Sequence, residues 1–320
     1  MKVSLKTIVI PVIIALLFRF AFGINSLDSI YSVMSIAFLV GVPVGIGVLT
    51  VYLSPLHLVE KPYYKILMPW IPILLFCLIT LLFFIEGWGC WIMILPVFLL
   101  FASIGGYIGG KLKLRKKKRE EDIFVSLIVL LPLIISPLEQ WIGSIPGTYK
   151  AYTYIDINAP ADKIWSNVTR VGEIPESKNK ASITKFLQFP RPIKAELNYE
   201  GVGASRSAIF SGGLVFHETV LEYEHQHKMT FSIKAYPYEI PSTTLDNHIV
   251  IGGQFFDVLN GTYELEKLSE ATYRLHLYSY FKLNTTFNFY ASYWARWIMK
   301  DIQNNILQIE KERAENMVQK

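Results

Sequence analysis

Cysteine is almost missing from this chain of 320 residues: Cys77 and Cys90 are the only two, both in or beside apolar runs of the first half. The second half has none, so its fold needs neither a disulfide nor a thiolate metal site. Acidic residues are scarce where the apolar runs lie. Of the 26 Asp and Glu, 7 precede Lys150, and none falls near the middle of an apolar run. Proton relays and cation pathways usually place a carboxylate there, so a transporter is disfavoured. An excess of positive charge is missing from the second half: from Lys150 onward 19 Lys and Arg face 19 Asp and Glu, and the net +5 belongs to the first half. A neutral domain without a basic stripe offers no electrostatic footprint for nucleic acid. No GxSxG, HExxH, P-loop or dinucleotide fingerprint stands where its context would demand it, so no cofactor is expected.

Long apolar runs fill the first half. A spanning helix needs about 20 mostly apolar residues. Runs at 7–24, 30–53, 66–85, 88–109 and 123–142 predict a transmembrane region over residues 1–142 with about five helices. The fifth run carries Pro132 and Pro137, and a re-entrant or interfacial placement is its alternative. Lys2 and Lys6 precede the first run, Lys61 and Lys65 lie between the second and third, and a cluster from Lys111 to Arg119 lies between the fourth and fifth. If every run spans, all three basic segments share one side. The basic-side rule then puts the N-terminus in the cytoplasm and the second half outside a plasma or inner membrane. If the fifth run does not cross, the second half is cytoplasmic. The first run also has the features of a signal peptide, and an uncleaved helix is preferred because further runs follow. Gly41 and Gly45, Gly105 and Gly109, and Gly106 and Gly110 stand four apart, a spacing that lets helices approach closely, here read as packing within one chain. Arg19 is expected to snorkel to the interface.

Residues 143–149 read as a linker, 150–315 as a separate water-soluble α+β domain and 316–320 as a tail. Strand signals fall at about 152–157, 204–210, 214–223, 227–235, 249–256, 261–267 and 272–283, with a short helix at 161–168 and a polar loop at 171–184. The end, about 287–314, is amphipathic: Trp294, Ile298, Ile302, Ile306 and Ile309 recur at helical spacing. A run of antiparallel strands followed by one long helix predicts a curved sheet around that helix, with an apolar space between them.

The segment Tyr154-Ile155-Asp156-Ile157-Asn158-Ala159-Pro160 followed by Ala161-Asp162-Lys163-Ile164-Trp165 resembles the opening strand, turn and Trp-bearing helix of the START-like, polyketide-cyclase-type superfamily with its helix-grip fold. Gly201-Val202-Gly203-Ala204-Ser205-Arg206 with Phe216-His217-Glu218 is similar to its central hairpin, and Tyr293-Trp294-Ala295-Arg296-Trp297 to the opening of its closing helix. The match covers about half the chain and leaves the membrane half outside. The resemblance implies a hydrophobic cavity for a lipid, sterol, polyketide or similar molecule, and a closing helix that forms one cavity wall. Members include binders, transfer proteins and enzymes, so fold alone does not choose among them.

Alternation along the strands places Arg206 with Ala204, Ala208 and Phe210 on one face, and Glu218 with Leu214, Phe216 and Val220. If Ser211-Gly212-Gly213 is a three-residue loop, Arg206 lies opposite Glu218; a two-residue loop breaks the pairing. Such a pair among apolar neighbours is either a polar anchor for a ligand or a structural ion pair. Phe210, Phe216, Phe231, Trp294 and Trp297 are candidate cavity-wall residues beside an ordinary-core reading. His248 is a candidate pocket group. His225 and His227 read as a solvated turn rather than a metal site, and no metal is expected. The function expected is a membrane-anchored domain that binds a lipid or other hydrophobic small molecule at the extracytoplasmic surface, with membrane lipids as partners. Two alternatives stay open: a cyclase- or hydrolase-type enzyme acting through Arg206, Glu218 and His248, and a structural or signalling membrane protein with a sensor domain.

Overall fold

The protein is described from a computed structural model, over residues 4–27, 29–115, 118–143, 146–187, 189–236 and 252–318. The chain divides into two units: Met1–Ile145 with Thr285–Phe287, and Pro146–Asn284 with Asn288–Lys320.

The first unit is helical. Helix α1 is Lys6–Phe22. A π-helical turn, Ala37–Gly41, runs into α2, Val42–Tyr52. Two short helices, α3 (Leu56–Val59) and α4 (Pro62–Leu67), lead to α5 (Trp70–Leu82), α6 (Trp88–Lys113) and α7 (Lys118–Ile142). Three stretches are long and apolar enough to cross a membrane: Pro62–Leu82, Trp88–Lys113 and Glu120–Ile142. The apolar stretch Ala37–Tyr52 is shorter, and α1 has 17 residues against the ~20 a straight span needs. Much of the run 30–53 ahead of residue 37 is not helical. The helix there starts where partners meet its free N–H groups. The Glu139 carboxylate accepts from the Ile36 and Ala37 amides at 2.6 and 2.9 Å, and Ser35 Oγ accepts from Phe38 at 3.1 Å. A carboxylate at that position also offsets the helix dipole.

Two helices of this unit pack through glycine. A Cβ at Gly47 would lie 2.1 Å from the Ala102 carbonyl oxygen, one at Gly105 2.1 Å from that of Val44, and one at Gly109 2.4 Å from that of Val48. The backbones of α2 and α6 therefore touch where no larger residue fits, which is close packing within one chain. Arg19 is buried and ion-paired with Glu86, in the loop between α5 and α6. A carboxylate within reach offsets the cost of a buried guanidinium.

The second unit has the helix-grip fold: a curled seven-stranded antiparallel sheet and one long helix. Strand β1 is Gly147–Ile157. Helix α8, Ala161–Thr169, begins after Pro160, whose ring suits a helix start. Helix α9 (Ile183–Phe186) and β2 (Pro192–Leu197) follow. Then come β3 (Ser205–Phe210), β4 (Val215–Glu224), β5 (Lys228–Ala235), β6 (Phe256–Lys267), β7 (Tyr273–Leu283) and the closing helix α10 (Asn288–Val318). The sheet order is β1-β7-β6-β5-β4-β3-β2. Strand β2 and helix α9 carry weak periodicity and are not legible in the sequence. The strand expected at 249–256 is not found as such. Residues 249–251 lie outside the described residues, 252–255 form turns and bends, and β6 starts at Phe256.

The core joins α8, the concave sheet face and α10. Trp165 is buried with Ile164, Val168, Val220, Met229, Leu265, Leu275 and Leu307. Its indole N–H donates to Tyr223 Oη at 3.1 Å. Both ends of α10 are tied to β1. Near its start, Ala291, Ala295 and Met299 pack against Tyr149, Ala151, Phe256, Phe281 and Leu283. Near its end, Lys311 donates to the Asp156 carbonyl at 2.8 Å and Glu315 accepts from the Asn158 amide at 2.9 Å.

Candidate functional site

The hairpin β3–β4 places the central pair. Gly212 and Gly213 take φ of 77° and 89°, where a side chain is strained, and the loop closes with the Phe210 amide donating to the Leu214 carbonyl at 2.8 Å. It is a three-residue loop, so Arg206 lies opposite Glu218 and Ala208 opposite Phe216. Arg206 Nη1 is ion-paired with Glu218 Oε2, and both side chains are almost wholly buried. Arg206 Nε donates to the Thr169 carbonyl at 3.3 Å. Its guanidinium lies 5.1 Å from the Phe231 ring centre and 6.0 Å from that of Tyr263. Burial opposes the charge on Arg206, but Glu218 and Tyr263 outweigh it and the guanidinium pKa is raised. Burial raises the Glu218 carboxyl against the pull of Arg206.

A second buried carboxylate stands behind the pair. Glu310 of α10 is 1 % exposed, and neither of its oxygens has a hydrogen-bond partner among the described residues. Arg313 Nη1 approaches it to 3.8 Å. Burial pushes its pKa up to about 8, with Arg313 and then Arg206 pulling back. Arg313 also donates to the carbonyls of Gly172 and Glu173 at 3.1 and 2.6 Å. The two arginines thus hold the backbone from Thr169 to Glu173.

Between sheet and α10 lies a pocket of about 130 Å³. Its walls are mostly apolar, with Val171 and Ile174 on one side, Phe210, Phe216 and Phe231 on the sheet, and Met299, Ile302 and Ile306 on α10. Arg206, Glu218, Tyr263, Ser279 and Gln303 add polar groups. Gln303 Nε2 donates to Ser279 Oγ at 3.1 Å and its Oε1 accepts from Thr153 at 3.2 Å, so the amide is held in one orientation. Such a site can enclose a compact apolar body and meet one polar group on it.

Of the candidates read from sequence, Arg206, Glu218, Phe210, Phe216 and Phe231 come together at this pocket. His248 lies outside the described residues. Trp294 and Trp297 do not line the pocket. Their rings pack on each other at 5.4 Å, and Trp297 is largely exposed. The pocket faces α10 from Met299 to Ile306; Trp294 lies more than one turn before that stretch, and Trp297 is on the exposed side of the helix. His225 and His227 sit at the exposed β4–β5 turn, where His227 Nδ1 is 2.6 Å from Glu224 and His225 Nδ1 is 3.0 Å from Tyr223 Oη. Among the described residues no three His, Cys, Asp or Glu side chains converge as metal ligands would. Sequence reasoning missed Ser279, Gln303 and Glu310. The signal for Glu310 was present: it stands four residues after Ile306, so the apolar stripe of α10 runs directly into a carboxylate.

No family model matches this chain, and no curated relative does. Solved structures similar to part of it include a truncated norcoclaurine synthase from Thalictrum flavum, at 12% identity over 51% of this chain and 94% of that one, with a TM-score of 0.31. A protein from Nitrosospira multiformis is similar at 16% identity over 54% of this chain and 100% of its own, TM-score 0.33. The protein XoxI from Bacillus cereus is similar at 12% identity over 52% and 96%, TM-score 0.31. The fold assignment rests on the strand order and register given above.

Proposed function

We propose that the C-terminal unit is a binding module for a hydrophobic small molecule, anchored beside a membrane by the helices that precede it. The observation that carries this reading is the pocket itself: an apolar space between sheet and helix that holds a buried Arg206–Glu218 pair. Its size, about 130 Å³, is close to the ~150 Å³ of an engineered apolar cavity that takes up benzene. This favours a ligand, or an inserted part of one, no bulkier than a ring or a short chain. The Lys and Arg bias of the first half supports an extracytoplasmic position for the module.

The test is native mass spectrometry of the full-length protein released from lipid nanodiscs. The expected result is a tightly held apolar molecule in the wild type that is lost in Ala208→Phe, which fills the pocket from β3. Equal ligand content in the two proteins, or none in the wild type, refutes the reading.

A further inference from the structure

We propose that the pocket is filled from the bilayer, through the end of the domain that the chain tethers there, and that an aromatic stripe on α10 rests in the phospholipid interface. This rests on the reading of the pocket as a ligand site.

The strand pairing brings one end of the whole sheet together. Gly147, which starts β1, lies opposite Leu283, which ends β7; Leu283 lies opposite Phe256, which starts β6. Phe216, near the start of β4, lies opposite Ala235, which ends β5, and Pro192, which starts β2, lies opposite Phe210, which ends β3. The pocket residues Phe189, Pro190, Phe210, Leu214 and Phe216 belong to this end. Arg206 and Glu218 lie further along their strands. Part of the pocket's apolar wall is therefore at the β1-start end, and the charged pair lies further in from it.

The same end is the tethered one. Helix α7 ends at Ile142 and β1 begins at Gly147, so the two are joined by at most about 17 Å of extended chain. The first turns of α10 lie there too, where Arg296 sits 5.2 Å from the Tyr149 ring centre. While Ala291, Ala295 and Met299 pack inward, Phe289, Tyr293 and Trp297 are 69, 69 and 53% exposed. Residues four apart form one stripe on a helix, and exposed Lys300 continues it. Exposed Phe186 belongs to α9, which is hydrogen-bonded to α10 through Thr184 and Asp301. Tyr and Trp with a nearby Lys are the residues favoured at a membrane–water interface. The occupant is the bilayer because the covalent tether keeps it within reach at all times, which a dissociable partner cannot match. The ligand class that follows is a molecule that partitions into lipid.

The test uses the full-length chain with Cys77→Ser and Cys90→Ser and one added cysteine, either Tyr293→Cys or, at the opposite end of the sheet, Glu224→Cys. Each is labelled with bimane and reconstituted into phosphatidylcholine vesicles containing phosphatidylglycerol. Headgroup-depth doxyl lipid and aqueous iodide are the two quenchers. Interface docking predicts lipid quenching at 293 about threefold or more above that at 224. Quenching at 293 by iodide alone, or by neither agent because protein covers the stripe, overturns the proposal. Pocket content is read from the same vesicles by native mass spectrometry. An empty pocket overturns the function and the loading together, whereas a filled pocket under an unquenched position 293 overturns the loading alone.

Discussion

Replacing Glu310 with glutamine should stabilise the domain, and by an amount set by pH. Glu310 is 1 % exposed, its oxygens lack hydrogen-bond partners among the described residues, and its pKa is raised from 4.5 to about 8. Because the folded value lies above the unfolded one, the folded state holds a proton that the unfolded state releases between those two values. The group costs nothing below about pH 4.5, costs progressively more as pH rises, and reaches its full cost above about pH 8. At about 1.36 kcal/mol per unit, the cost is about 3 kcal/mol near pH 7 and approaches about 5 kcal/mol near pH 9. Glu310→Gln keeps the shape and removes the proton that must leave. The second unit contains no native cysteine, so Val168→Cys, at a fully buried position of α8, reports its opening in a Cys77→Ser, Cys90→Ser background. Maleimide labelling of the detergent-solubilised chain, corrected for thiolate content, should be about a hundredfold slower in Glu310→Gln than in Glu310 protein near pH 7. The two rates should converge near pH 5. A wild-type protection that does not change with pH, or a Gln variant that opens faster near pH 9, would refute the argument.

Two further outcomes follow from the packing. Arg206→Met leaves Glu218 buried without its partner and should cost about 3–5 kcal/mol, while Arg206→Met with Glu218→Met removes both charges and should recover much of that loss. The same thiol-protection assay reads both, and equal losses in the single and double variants would show that the pair is not coupled. In the first unit, Gly105→Ala places a Cβ 2.1 Å from the Val44 carbonyl oxygen and should force α2 from α6 at a cost of about 1–3 kcal/mol. Unfolding in dodecyl sulfate at an unchanged detergent fraction would contradict that contact.

The partition of this chain is legible in its amino-acid pattern alone. Long apolar runs read as helices able to cross a membrane, and a charge-balanced remainder with period-two alternation reads as a sheet packed on one amphipathic helix. The hairpin is legible as a turn at Ser211-Gly212-Gly213, while the choice of a three-residue over a two-residue loop, which sets Arg206 against Glu218, is seen only in the structure. Local pattern suffices in these cases because each depends on neighbours a few residues apart.

Other features depend on partners far along the chain. Strand β2 has an ordinary sequence and exists because β3 offers it an edge to pair with. The start of the helical stretch at Ala37 is decided by Glu139, about a hundred residues away. Periodicity names a face of α10, but only its docking against β1 and β7 chooses which turns meet the pocket, selecting Met299 to Ile306 over Trp294 and Trp297. The stripe of α10 puts Glu310 in line with Ile306, but its degree of burial is set only when the rest of the domain closes over it. Glu310 becomes a buried acid because the surroundings that desolvate it come from segments the local sequence does not contain.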